Sequence, residues 1–258
     1  QIHELKSAVQ GSDMVFVCAG LGGGTGSGVA PVAAQVAKEN GAIVIGVVTM
    51  PFNIEKARID KAEFALKQLR EVSNTVIVID NNRLSSIAGN LPIRQAFAVA
   101  NELISTMIKS IVEIISVPSL INLDYADVRA IMSAGGVSVT GIGEADGDKR
   151  VDEATKRALS NPLLEVSYNG ASGALIHITG GPDMTLDEAE RIGELITGGL
   201  DADANIIWGA RIDDEMRGKI RVMTIITGVK SPFVLGKASA VPSPQAIEMN
   251  HELGLETI

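Results

Sequence analysis

Two rhythms of apolar and polar positions divide this chain. In the first third, unbroken apolar runs of strand length occupy residues 14–19, 42–49 and 75–80. Between them, residues 29–38 and 59–71 carry apolar side chains at helical spacing. Residues 2–9 read as the end of a helix, broken by Gly11-Ser12-Asp13. Asn40-Gly41 stops the helix before it, since glycine readily takes the left-handed conformation that ends helices. Strand, helix, strand, helix, strand with continuous apolar strands predicts a parallel α/β sheet.

A longer periodic segment follows at residues 92–116. Its apolar positions include Ile93, Phe97, Ala100, Ile104, Ile108, Ile111 and Ile115, close to helical spacing. Pro92 suits a first turn, and Val117 before Pro118 is pushed out of the helical region. Such a helix would be roughly 37 Å long. Further apolar residues at Val99, Leu103, Met107, Val112 and Ile114 predict packing on two sides, as for a helix between two domains.

The second half mixes strands at 137–142, 173–179, 205–211 and 219–226 with helices at 152–160 and 186–196. Thr185 and Glu188 have the spacing of a capping box. This pattern predicts a smaller α+β layer. After Gly228 periodicity is lost among Ser231-Pro232 and Pro242-Ser243-Pro244, which reads as a tail or partner-binding segment. The predicted domains are 1–118, including the long helix, then 119–230, then a tail at 231–258.

Composition narrows the classes. An apolar fraction of 46% can bury a sizeable core, and 3% aromatics make it an aliphatic one. A net charge of -9 argues against a nucleic-acid binder and against a basic membrane-surface helix. Arg94, Glu102, Lys109 and Glu113 interrupt the longest apolar segment, so no transmembrane insertion is expected. The single cysteine, Cys18, can form no disulfide within the chain and is expected to be a buried small hydrophobe. His3, His177 and His251 show no metal-ligand spacing; His177 is expected to be a packed strand residue, and Trp208 and Met223 core residues.

The strongest chemical signal is Gly20-Leu21-Gly22-Gly23-Gly24-Thr25-Gly26-Ser27-Gly28, between a strand and a helix. Glycines let backbone amides reach a ligand, and a helix N-terminus adds partial positive charge, so the run reads as a phosphate cradle. Val29-Ala30 after Gly28 excludes a P-loop, which needs Lys then Ser or Thr. The strand ending Val48-Thr49 lacks the acid of a dinucleotide site, which counts against a nicotinamide-dependent enzyme. A second signal, Asn122-Leu123-Asp124-Tyr125-Ala126-Asp127, lies in a loop running into a short helix. Taken alone, these residues fit either a cation- or water-orienting pair of carboxylates or an ordinary helix cap.

The run Gly22-Gly23-Gly24-Thr25-Gly26-Ser27-Gly28 resembles the signature loop of the tubulin/FtsZ family, and the resemblance extends over most of residues 1–230. It implies an α/β protein: a parallel nucleotide-binding sheet with helices on both faces, a long central helix and a smaller α+β C-terminal domain. It also implies GTP or GDP as ligand, with Mg²⁺ on the phosphates. By that resemblance Gly22, Gly23, Gly24, Thr25, Gly26, Ser27 and Gly28 bind phosphate. Pro51-Phe52-Asn53-Ile54-Glu55 looks like the loop near the ribose and phosphates, with Glu55 as its acid. Arg58 is the candidate cation, at a spacing one residue shorter than in bacterial members; a solvated helix charge is its other reading. Phe97 and Asn101, four apart on the long helix, match the positions that stack on guanine and hydrogen-bond to it. From the residues alone Phe97 would be a core residue. Asn122, Asp124 and Asp127 look like the catalytic loop that acts on the nucleotide of a neighbouring subunit.

The implied function is a GTP-hydrolysing cytoplasmic protein that polymerises head to tail for cell division and acts at the division site. Its tail would reach division partners and a membrane tether. Two other readings remain: a filament protein for cell shape or DNA positioning, which would share the motifs, and a non-hydrolysing partner subunit without its own nucleotide site. The aliphatic style resembles archaeal members. The family's first strand and first phosphate loop have no counterpart here, so a fragment of a longer protein, a partial sequence, or a chain joined by a separate N-terminal piece is expected. The chain alone should expose a sheet edge and bind GTP weakly.

Overall fold

The computed structural model describes residues 2–117, 119–121, 124–133, 138–160 and 168–229. The tail at 231–258 lies outside the described residues, and so does Asn122.

Sheet A contains β1 (Met14–Gly20), β2 (Ile43–Met50) and β3 (Thr75–Asp80), parallel and in that spatial order. β2 is central and buried almost throughout, which explains its unbroken Ile-Val-Ile-Gly-Val-Val run. Besides α1 (Ile2–Val9), the first half holds α2 (Gly24–Glu39), α3 (Ala57–Val72), α4 (Asn81–Ala88) and α5 (Ile93–Ser116). α2 and α3 bury Ala34, Ala37, Ala62, Ala65 and Leu69 in one cluster with Val44, Val48, Val76 and Val78. On the other face α4 and α5 share a cluster with Ile43, Ile45, Ile77 and Ile79. Both faces of the sheet are therefore covered.

Sheet B contains β4 (Ser138–Asp146), β5 (Gly173–Gly180), β6 (Asn205–Ile212) and β7 (Lys219–Thr227) in the order β4-β7-β5-β6. β5 and β6 are parallel, whereas β7 runs antiparallel to β4 and β5. α6 (Tyr125–Ser133) lies on one side of this sheet, and α7 (Arg150–Leu159) and α8 (Leu186–Thr197) on the other. The Thr185–Glu188 capping box forms as its spacing predicts: Thr185 Oγ1 accepts from Glu188 N–H at 3.2 Å, and Glu188 Oε2 accepts from Thr185 N–H at 2.9 Å.

α5 joins the two halves. Its Met107, Ile111 and Ile114 belong to one apolar cluster with Ile43 and Ile77 of sheet A and Leu175, Met223 and Ile225 of sheet B. The long helix between two sheets is thus as the periodicity predicts, although Ile93, Phe97 and Val112 remain exposed.

Three expectations need correction. α2 begins at Gly24, not at residue 29, so most of the glycine motif forms the first turns of a helix. Cys18, expected in the core, is exposed on β1, which is the edge of sheet A. Trp208, also expected in the core, is 39% exposed on β6, the edge of sheet B. In both cases the strand is apolar, but no further described strand lies beyond it. α4 went unrecognised; Asp80 caps it by accepting from Asn82 N–H. Met223 and His177 are buried as expected.

Candidate functional site

The three strands of sheet A are parallel, so their carboxyl ends open on one rim, where ligands of open α/β sheets bind. Four elements converge there, three of them predicted. The glycine segment leaves β1, the 51–58 segment leaves β2, α4 leaves β3, and the N-terminal half of α5 returns to the same rim.

The glycine segment is held by backbone contacts. Leu21 N–H donates to Thr49 O at 3.0 Å, and Gly22 N–H donates to Ser27 Oγ at 2.9 Å. Gly22 has φ +95°, and a Cβ there would sit 3.0 Å from both Cβ and O of Arg58. A Cβ on Gly26 would lie 2.0 Å from the Gly20 carbonyl oxygen. These two glycines are obligatory for the turn itself. Gly23 and Gly24 differ: a Cβ on either would meet nothing within 4 Å, so their backbone faces open space. Gly23 takes the N-cap position of α2 without a side-chain cap, and no acid lies in the first turn. Gly23, Gly24 and Thr25 are exposed at the positive end of the helix, an arrangement suited to an anionic group. Gly28 is exposed in the second turn of the helix.

Glu55 and Arg58 lie on the same rim. Glu55 Oε1 accepts from Phe52 N–H at 3.0 Å, and Glu55 Oε2 accepts from Arg58 Nη1 at 2.6 Å. The contact of Gly22 with Arg58 brings this pair beside the glycine segment. The Arg58 side chain is 62% exposed and so is free to exchange its partner. Phe97 is 42% exposed, not a core residue; its ring meets Phe52 edge to face, with centroids 6.4 Å apart. Asn101, one turn further along α5, is exposed on the same helical face. The contact of Phe52, named only as part of its loop, escaped sequence reasoning, as did Asn82, whose amide bonds to Asn53. The run Asp80-Asn81-Asn82 at a strand end is a capping signal that could have revealed the latter.

Asp124 and Asp127 lie elsewhere. Asp127 N–H donates to Asp124 Oδ1 at 2.8 Å, and Asp124 N–H donates to Asp127 Oδ2 at 3.1 Å, a reciprocal cap at the start of α6. The cap reading is thus realised, and it sets the two carboxylates side by side. The next residue, Tyr125, donates from its hydroxyl to the carbonyl of Asp13, immediately before β1. The acidic pair therefore sits at the amino end of sheet A. Gly20 ends β1 at the carboxyl end, roughly 20 Å away at about 3.3 Å per strand residue. Within one chain the acidic pair and the glycine segment do not meet.

Among the described residues no cluster of three or more His, Cys, Asp or Glu could hold a metal ion. No described helix is long and apolar enough to cross a membrane.

Comparison with known proteins agrees with this layout. Residues 1–89 match the Tubulin/FtsZ family GTPase domain, and residues 136–230 match the C-terminal domain of the FtsZ family. Cell division protein FtsZ 2 of Methanocaldococcus jannaschii is 60% identical over 236 residues, which cover 90% of this chain and 62% of that protein. The chain thus spans about three fifths of the length of that curated relative. Among solved structures, an empty FtsZ dimer from M. jannaschii superposes with a TM-score of 0.79 at 47% identity, covering 88% of this chain and 66% of that one. A point mutant of FtsZ from the same organism gives a TM-score of 0.80 at 46% identity, covering 88% of this chain and 69% of that one. With both domain matches in chain order and this identity across nearly its whole length, the chain belongs to the tubulin/FtsZ family.

Proposed function

We propose that this chain is part of a GTP-binding and GTP-hydrolysing cytoskeletal protein that polymerises head to tail for cell division, with its active site formed between adjacent subunits. One observation carries the reading: the phosphate-type rim and the acidic pair occupy opposite ends of sheet A. Carboxylates that cannot reach their own chain's nucleotide can reach the next subunit's if subunits stack end to end. Apolar side chains are exposed at both ends, Ile54, Ile93 and Phe97 around the rim and Leu120 and Ile121 just before the acidic loop. Two different surfaces on one chain suit a heterologous, open-ended contact. The solved dimer of the M. jannaschii relative supports self-association.

In this reading Gly22 to Gly28 cradle the phosphates. Glu55 and Arg58 lie beside the ribose and phosphates, and Phe97 and Asn101 hold the guanine. Asp124 and Asp127, with Asn122, orient the water that attacks the γ-phosphate of the neighbour. Phosphoryl transfer needs mostly positioning and charge stabilisation, which a preformed cap supplies. Mg²⁺ would supply electrostatic stabilisation on the phosphates. We assign α5 to the nucleotide domain at 1–118, the smaller domain to 119–230 and partner binding to the tail at 231–258. The protein would act in the cytoplasm at the division site, through division partners and a membrane tether.

The test is GTP hydrolysis measured against protein concentration, for this chain and for the full-length protein. Activity that rises cooperatively with concentration and vanishes in Asp127→Ala supports a shared site. Hydrolysis linear in concentration, or indifferent to Asp127, overturns it.

A further inference from the structure

We infer that Asn82 is a positioning residue for the nucleotide rim, holding the turn after β2 so that Phe52 stays against Phe97; the inference rests on the guanine-nucleotide reading above. Asn53 and Ile54 are exposed at the tip of the turn, between buried Pro51 and half-buried Glu55. One amide ties this tip to the start of α4. Asn82 Oδ1 accepts from Asn53 N–H at 2.9 Å, while Asn82 Nδ2 donates to Asn53 Oδ1 at 3.2 Å. The amide is itself oriented from the other side: Asp80 Oδ1 accepts from Asn82 Nδ2 at 2.7 Å and from Asn82 N–H at 2.8 Å. Both Nδ2 protons and the oxygen are thus used, and only an amide has that donor and acceptor set. A carboxylate there would lack the donors and would repel Asp80.

The linkage matters because Asn53 adjoins Phe52. Besides this amide, the turn is closed locally between Phe52 and Glu55: Phe52 N–H donates to Glu55 Oε1 at 3.0 Å, and Glu55 N–H donates to Phe52 O at 2.8 Å. With Asn82 in place, the turn from β2 is fastened to the end of β3, and the Phe52 ring meets Phe97 edge to face. Phe97 is half-exposed at the end of a long helix, so the contact with Phe52 limits its rotamers. A ring held in place before a base arrives costs less entropy on binding. Asn82 touches no ligand in this scheme; it acts through Asn53 and Phe52.

The experiment uses the full-length protein, titrated with a fluorescent GDP analogue, with KM and kcat for GTP and the nucleotide-free melting midpoint measured in parallel. Asn82→Ala is expected to raise Kd and KM about five- to tenfold. The kcat at saturating GTP should stay within about twofold, and the melting midpoint within about 3 °C. Asn53→Ala should shift Kd in the same direction, and the double variant should be no weaker than Asn82→Ala alone. If Asn82→Ala does not fold, Asn53→Ala decides. An unchanged Kd overturns the assignment, as does a lowered melting midpoint with wild-type Kd in the folded fraction, which would mark a merely structural role. Failure of the unsubstituted protein to bind the GDP analogue would instead remove the guanine-nucleotide reading, and this inference with it.

Discussion

Tyr125 and Asp13 are 112 residues apart, yet the Tyr125 hydroxyl donates to the Asp13 carbonyl and fastens the start of α6 to the amino end of β1. The chain reaches this point by way of α5, whose 24 residues span roughly 36 Å and run back along the sheet from the nucleotide rim. Removing the hydroxyl by Tyr125→Phe should cost about 1 kcal/mol, or about 3 °C in melting midpoint. Nucleotide affinity should be unchanged, because the rim lies at the other end of the strand, while GTP turnover should fall several-fold. A loss of affinity equal to the loss of turnover would show that the two ends are not separate.

Asp127 serves in a helix cap and, in the proposed mechanism, in catalysis, and the two can be separated. Asp127→Asn keeps an oxygen that can accept from Asp124 N–H, so stability should change by under about 0.5 kcal/mol. Turnover should fall at least about a hundredfold if the carboxylate orients water or carries charge. Denaturant titration and a GTPase assay on the same preparation read both. Equal activity in the two proteins would leave Asp127 as a cap only.

The glycines of the rim should divide into two groups. Gly26→Ala places a Cβ 2.0 Å from a backbone carbonyl oxygen, and Gly22→Ala adds a Cβ at positive φ against Arg58. Both should destabilise the fold, by about 1–3 kcal/mol for Gly22→Ala and more for Gly26→Ala. Gly24→Ala meets open space at an ordinary φ, so the fold should survive while affinity for GDP falls at least about tenfold. Thermal melting beside a GDP titration separates the classes. Full affinity in Gly24→Ala would mean that the ligand does not approach that backbone.

His177 gives the fold a pH dependence. It is buried in β5, its Nε2 has no hydrogen-bond partner among the described residues, and burial, reinforced by the charge of Arg211, pushes its pKa down to about 4. The unfolded chain takes up the proton near pH 6.5, the folded one only near 4, so the unfolded state binds more protons between them. Stability from this group is complete above about pH 6.5 and is lost as pH falls toward 4, by roughly 3 kcal/mol in total. His177→Leu should flatten that part of the stability curve. An unchanged slope between pH 6.5 and 4 in the variant would trace it to other groups.

Much of the fold was legible because its signals are local. Ile43 to Val48 reads as a buried strand from composition alone, Thr185 and Glu188 meet across one turn, and the period of residues 93–116 is helical throughout. The glycine segment was legible for the same reason, since a strand, a turn and a helix start lie within about fifteen residues. Cys18 and Trp208 were misjudged because apolarity predicts burial only where something covers the strand, and each lies on an edge. Asn82 and the contact made by Phe52 were missed because their partners Asn53 and Phe97 lie 29 and 45 residues away, brought close only by the parallel sheet.

The sequence by itself thus determined most of the elements, the family and the residue types of the candidate site. It could not say which of these stand together. The resemblance implied that Asp124 and Asp127 face a neighbour's nucleotide, but no local pattern gives their distance from the chain's own glycine segment. Only the tertiary structure, through the antiparallel course of α5 and the Tyr125 hydroxyl on Asp13, sets them at the far end of β1. Local patterns follow from backbone sterics and side-chain spacing over a few residues. The distance between two motifs depends on how whole helices and strands pack, which no local pattern encodes.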